Sequence, residues 1–271
     1  MDAAGRWLEV GEGILVRRYE ELDLTVGLVI GDGACLVVDA RGDEVQGREL
    51  ASAVRHVVPD PWSVVITHAH FDHCFGTAAF LPCDVWAHPG CRAVLAEEGE
   101  QIRAEAADEY ESDGRADMAT KLREAQLVLP EQLVPATKEL LVGGRPVTLA
   151  HLGPGHTDHD LVVHVPDAEV VFAGDLVEEG APPAFGKDAM PLRWPDTVTA
   201  LLAMARDATV VPGHGEPVDR AFVSAQRDEL SVVADLCRAV LDGAMGVADA
   251  IARSPYPEKV TRGALACARM G

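Results

Sequence analysis

Thr67-His68-Ala69-His70-Phe71-Asp72-His73 is the stretch whose reading decides the fold. It follows directly on SVVIT (63–67), a short and almost wholly apolar run that reads as a buried strand. In an open α/β sheet, the loop at a strand's carboxyl end is where ligands sit. His68 and His70 are two apart in extended backbone, so they point to one side and can share one cation. Asp72 and His73 come as the chain enters the next helix and can face a neighbouring cation. Four such side chains packed together without a cation would lose hydration for no return. The stretch therefore reads as a metal centre.

Working outward, LTVGLVI (24–30) and CLVVDA (34–39) read as strands joined at Gly31-Asp32-Gly33. Residues 44–57 fit a helix, stopped before Pro59 and Pro61. A short helix over 73–80 and a strand over 84–88 follow, and this βαβαβ alternation argues for α/β layering. Residues 92–128 turn rich in Glu, Ala and Arg, with two charged helical stretches broken near Asp113-Gly114. They read as an insertion serving as lid, scaffold or dimer surface. Strand patterns return at 138–142, 146–152, 160–165 and 169–174. The last two make a hairpin ending at Asp175, as the first hairpin ends at Asp39. A helix over 196–206, a strand over 208–211 and a long amphipathic helix over 219–243 come next. Pro255 and Pro257 end a further short helix. The expected organisation is one metal-binding domain over 1–218, with a helical C-terminal extension over 219–271 packed on it.

Three more metal-capable residues stand at strand ends downstream. His156 lies in Gly153-Pro154-Gly155-His156-Thr157-Asp158, Asp175 in Ala173-Gly174-Asp175, and His214 in Pro212-Gly213-His214-Gly215. Each is flanked by glycine, which lets backbone approach a crowded site.

In this order, Asp39, His68-x-His70-x-Asp72-His73, His156, Asp175 and His214, the sequence resembles the metallo-β-lactamase-fold hydrolase superfamily over about residues 10–218. The resemblance implies a four-layer αβ/βα sandwich with a two-metal site on one edge. It implies one metal held by His68, His70 and His156, a second by Asp72, His73 and His214, and Asp175 bridging them. Asp39 would support the metal loop without ligating. Three protein ligands per metal, plus a share of a carboxylate, leave room for water and substrate, as in a catalytic site. Imidazole and carboxylate donors suit two Zn²⁺ first, with iron or manganese as alternatives. The expected chemistry is cleavage of an ester, thioester, lactone or amide by a metal-bridging hydroxide, with Asp72 as ligand and orienting group. An aspartate at 175, where one subclass of β-lactamases carries cysteine, favours a hydroxyacylglutathione hydrolase- or lactonase-like site. β-Lactam hydrolysis, a mononuclear iron dioxygenase and a metal-stabilised binding module are the alternatives.

The segment VEEGAPPAFGKDAMPLRW (177–194) follows Asp175 and is a candidate substrate wall through Phe185 and Trp194. His159, three residues after His156, is a further candidate contact, against the alternative of a solvent-satisfied loop histidine. His88 is expected near the site without ligating, while His56, His151 and His164 read as structural. Cys74 reads as a buried core thiol.

The chain has 271 residues and a net charge of −21, from 23 Lys and Arg against 44 Asp and Glu. So acidic a surface repels phosphate backbones and anionic lipid, which argues against nucleic-acid and membrane partners. The expected partner is a small-molecule substrate, with a homodimer as an alternative assembly state. No run reaches the roughly 18 apolar residues of a membrane span, and the first ten residues do not read as a signal peptide. The six cysteines form no C-x-x-C pair. A cytoplasmic location with free thiols is the expectation.

Overall fold

A computed structural model describes residues 5–269. Its strands are β1 (Trp7–Gly11), β2 (Ile14–Arg18), β3 (Thr25–Gly31), β4 (Ala34–Val38), β5 (Trp62–Val65), β6 (Val85–Ala87), β7 (Gln132–Leu133), β8 (Thr137–Val142), β9 (Arg145–Ala150), β10 (Val162–Val165), β11 (Val170–Glu178) and β12 (Thr209–His214). Its helices are α1 (Glu44–Val57), α2 (Phe71–Cys74), α3 (Pro89–Glu97), α4 (Gly99–Ser112), α5 (Ala116–Glu124), α6 (Trp194–Ala205), α7 (Arg220–Leu241), α8 (Val247–Arg253) and α9 (Glu258–Cys267). Strands β1 to β7 form one sheet in sequence order, and a second runs β12-β11-β10-β9-β8.

Period-two alternation in fully buried strands builds the layers. In β4, Cys35 and Val37 face one way, toward a cluster with α1, α3, α4 and α5. Leu36 and Val38 face the other way, into a cluster between the two sheets. In β11, Val170 and Phe172 point into that same inter-sheet core, while Val171 and Ala173 pack beneath α6 and α7. Three apolar interfaces thus separate four layers, helix–sheet–sheet–helix. The αβ/βα sandwich expected from the sequence is the observed architecture, and α7, α8 and α9 lie on the outer face of the second sheet.

Local chemistry sets the boundaries near the site. Asp43 caps α1, accepting from the N–H groups of Val45 and Gln46 at 2.7 and 2.8 Å. Strands β4, β5, β6 and β7 run parallel, so the Asp39 and His68–His73 loops emerge at the same edge. Strand β11 does not end at Asp175 as its sequence suggested. It runs on to Glu178, because it pairs in parallel with β12 through register shifts on both sides of Gly174. Gly174 has φ +54°, which turns Asp175 out of the regular pleat.

Candidate metal centre

Five chain segments meet at one edge of the sandwich. The loop after β5 supplies His68 and His70, α2 supplies Asp72 and His73, the loop before β10 supplies His156, β11 supplies Asp175 and β12 ends on His214. Two ligand-capable groups result. One is His68, His70, His156 and Asp175; the other is Asp72, His73 and His214; within each, the donor atoms lie within 4.8 Å of one another. Asp175 reaches both groups. Its carboxylate oxygens stand 3.2 Å from Nε2 of His73 and of His214, 3.5 Å from Nε2 of His156 and 3.7 Å from Nε2 of His68.

The outward ring nitrogens of His68, His70, His73 and His214 are held in place, whereas His156 Nδ1 is buried with no hydrogen-bond partner. His73 Nδ1 pairs with Asp39 Oδ2 at 2.8 Å, and Asp39 also accepts from the Thr67 N–H and hydroxyl. His68 Nδ1 lies 3.0 Å from the Thr67 hydroxyl. His214 Nδ1 donates to the Leu22 carbonyl at 2.8 Å. His70 Nε2 pairs with Asp188 at 3.1 Å, which leaves Nδ1 facing His156 Nε2 at 2.9 Å. Partners of this kind fix tautomer and ring orientation and raise ligand basicity. The inward atoms are poorly served by protein alone. His68 Nε2 is buried with no hydrogen-bond partner, and Nε2 of His73 faces Nε2 of His214 at 3.3 Å. Converging lone-pair donors from imidazole and carboxylate fit borderline divalent cations such as zinc.

Titration behaviour reflects the crowding. Burial, reinforced by His73, pushes His68 well below the ordinary histidine range. Burial likewise lowers His156 to about 4. Burial also opposes charge on His214, yet Asp175 and Asp72 overcome it and raise the ring to about 10. Asp175 is buried, but the four surrounding imidazoles hold its carboxyl well below the usual range. Opposed shifts in one pocket mark a site built around charge.

Two of the three candidate substrate contacts, Trp194 and His159, are buried. Trp194 is fully buried. Its Nε1 donates to the Leu176 carbonyl at 3.1 Å and its ring backs His156 at 5.5 Å. It is therefore a core support behind a ligand, not a substrate wall. Phe185 packs edge-on against it at 5.1 Å, within the same apolar cluster. His159 is neither solvated nor at a mouth. It is 1% exposed, pairs through Nδ1 with Asp158 at 2.7 Å, and accepts the Ala69 N–H at Nε2. It holds the metal loop from behind. His88 is in neither ligand group; its Nδ1 accepts the Gly90 N–H at the start of α3, and its ring lies 4.5 Å from that of His151.

Sequence reasoning missed Asp188 and Glu178. Asp188 lies in an irregular Pro/Gly-rich segment 118 residues from its partner His70, with no local pattern to flag it. Burial pushes the Glu178 carboxyl up to about 8, with Asp175 adding to the effect. Glu178 accepts the Ala184 N–H at 2.8 Å and so anchors the start of that segment.

Comparison with known proteins places this geometry. The chain spans little more than a third of some curated relatives, 37% and 39% of two bacterial metallo-beta-lactamases. Metallo-beta-lactamase type 2 of Bacillus sp. (strain 170) is 27% identical over 202 residues, covering 73% of this chain and 69% of its own. Acyl-coenzyme A thioesterase MBLAC2 of Gallus gallus is 25% identical over 162 residues, 58% of each chain. Among solved structures, the metallo-beta-lactamase from Pontibacter korlensis superposes with TM-score 0.66 at 19% identity, covering 84% of this chain and 99% of its own. The family model described as metallo-beta-lactamase superfamily matches residues 22–214, which include every member of both ligand groups. The chain belongs to the metallo-beta-lactamase superfamily.

Proposed function

We propose that the protein is a dinuclear, zinc-dependent hydrolase of an ester, thioester, lactone or amide bond in a small molecule. One observation carries this reading: two ligand groups share contact with a single buried carboxylate, Asp175. His68, His70, His156 and Asp175 would hold one ion, and Asp72, His73 and His214 the other. When bound, the two ions polarise a carbonyl and lower the pKa of a coordinated water toward neutrality. Iron or manganese would satisfy the same donors.

The chain's own residues do the rest. Asp39 and Thr67 keep His68 and His73 in orientation, and Asp188 does so for His70. Asp72 borders the cavity outside the centre, so its carboxylate can orient a water and hold a proton at an oxygen. Helices α3 and α4 supply one wall of that cavity.

Among the described residues no helix is long and apolar enough to cross a membrane. Six free cysteines and no disulfide fit a reducing compartment, and we assign the protein to the cytoplasm.

Zinc titration with mass-spectrometric metal counting, paired with a panel of esters, thioesters, lactones and β-lactams, tests the reading. Two zinc equivalents per chain and turnover of a carbonyl substrate are expected. β-Lactams are in the panel because relatives carry that name. A single iron per purified chain and no hydrolysis would overturn it in favour of the dioxygenase. Two bound metals without turnover would favour a binding module.

A further inference from the structure

The mouth of the metal centre has a chemical bias that the metal ligands do not explain. A cavity of about 460 Å³ opens against His70 and Asp72. One helical face of α4 lines it with Ile102, Glu105, Ala106 and Glu109, spaced i, i+3, i+4 and i+7. Phe71 and Val94 extend the apolar part of that wall. The acidic part is larger than the count on α4. Glu98 joins it from the α3–α4 junction and Asp188, paired with His70 at 3.1 Å, from the segment before α6. Lys187 is the only cation among the lining residues, and it is already engaged, with Nζ 3.4 Å from Glu105 and 3.8 Å from Glu98. With Asp72, five carboxylates therefore share the cavity lining with one ammonium and an apolar wall.

We infer that this site takes carbonyl substrates with an apolar body and no anionic group, neutral or cationic, and discriminates against carboxylated and phosphorylated ones. The inference rests on the hydrolase reading above. The carboxylates sit in a cleft with low-dielectric walls, where charges of one sign add up and set which ions accumulate. The net charge of −21 adds to this at longer range. Chemistry at the centre gives the same bias a second use. Hydrolysis breaks the acyl C–O, C–S or C–N bond, joins the water oxygen to the acyl carbon and passes a water proton to the leaving group. The acid product then ionises and becomes an anion facing an acidic exit. The mouth that admits a neutral or cationic substrate thus repels the carboxylate it yields.

Two measurements on the zinc-loaded protein separate this inference from the reading beneath it. The first is kcat/KM for esters, thioesters and lactones of equal chain length carrying a trimethylammonium, a hydroxyl or a sulfonate group. A preference of at least about tenfold for the cationic over the anionic member is expected at low salt, shrinking as ionic strength rises. The combined E98Q/E105Q/E109Q variant should bring the ratio within about threefold. The second is calorimetric binding of non-hydrolysable octyl chains with the same three head groups, which reads the charge preference without turnover. No hydrolysis of any member, with tighter binding of the cationic chain, would refute the hydrolase reading and leave the mouth's selectivity standing. Equal or better binding and turnover of the anionic series, or a ratio unmoved by the triple substitution, would overturn the inference.

Discussion

Asp39 binds the centre together without touching a ligand's inward face. It is 2% exposed, adopts φ +65°, and splits its two oxygens among the Thr67 N–H, the Thr67 hydroxyl and His73 Nδ1. A non-glycine residue held there costs on the order of 1–3 kcal/mol and persists where surrounding structure enforces it. Asp39→Asn keeps the shape but puts an amide donor among donors, so zinc affinity should fall about 10–100-fold with the circular dichroism spectrum retained. Unchanged affinity by chelator competition would refute this role. Gly213 is constrained from the other side, since a Cβ there would lie 1.8 Å from Asp175 Oδ1. Gly213→Ala should displace that carboxylate and leave fewer than two zinc ions per chain by mass spectrometry. Asp160 offers a test in pH. Burial, partly offset by donors from Thr157, raises its carboxyl to about 7, against about 3.9 in an unfolded chain. The folded state holds this proton more tightly, so the residue's contribution is complete below about pH 4 and fades as pH rises through 7. Asp160→Asn should gain stability relative to the parent over that window, in urea melts, and hold the gain above it. A pH-independent difference would show that the carboxyl is not raised. At this scale the ligand-capable residues that the fold brings together were legible because four of the seven fall in one heptapeptide. Asp188 was not, because its partner lies 118 residues away, and His159 was misjudged because its acceptor role depends on a backbone N–H that only the fold brings near.

Among elements, α6 shows how a helix can serve the centre from outside it. Trp194 opens the helix, donates to Leu176 in β11 and backs His156 with its ring. Trp194→Ala should cost about 3–5 kcal/mol, the usual range for a fully buried aromatic, read from urea unfolding. It should also loosen zinc at the His156 group; a loss below about 1 kcal/mol would show that the ring is not the support described. Helix α1 and the parallel strands β4 and β5 stood close to where the sequence put them, since a capping Asp43, a following Pro59 and unbroken apolar runs are local signals. Strands β1 and β2 were not foreseen. In edge strand β1, Leu8 and Val10 flank Glu9, while in β2 the short apolar run Ile14–Val16 ends at once on Arg17 and Arg18, and the pairing that defines both strands is antiparallel contact with neighbours. Helix α9 was also unread, because Pro255 and Pro257 look like a terminus when in fact Pro257 immediately precedes a new helix. The insertion was recognised as helical, but its consequence depends on which face of α4 turns inward. Glu21, beside strained Leu22, receives Tyr110 and Arg115 from α4 and its following turn, which ties that insertion to the segment whose carbonyl orients His214.

At the scale of the whole molecule, the ligands are distributed across the sandwich. His68, His70, Asp72 and His73 follow the first sheet, whereas His156, Asp175 and His214 belong to the second. Each ligand group draws from both, so neither sheet alone carries a complete site. An ion bound there is therefore a rivet through two halves of a fold, present only when both are assembled. Its binding energy becomes folding energy: a ligand specific to the native state adds about 2.7 kcal/mol when its concentration is 100 times its dissociation constant. The melting temperature should then climb with the logarithm of free zinc and fall on adding a chelator, and calorimetry in zinc-buffered solution reads both. A melting point indifferent to chelation would mean that the two sheets hold together without help from the edge. Otherwise, on the proposed function, the protein's lifetime in the cell would be tied to the metal supply, since a chain starved of its metal would be at once inactive and easier to unfold and degrade.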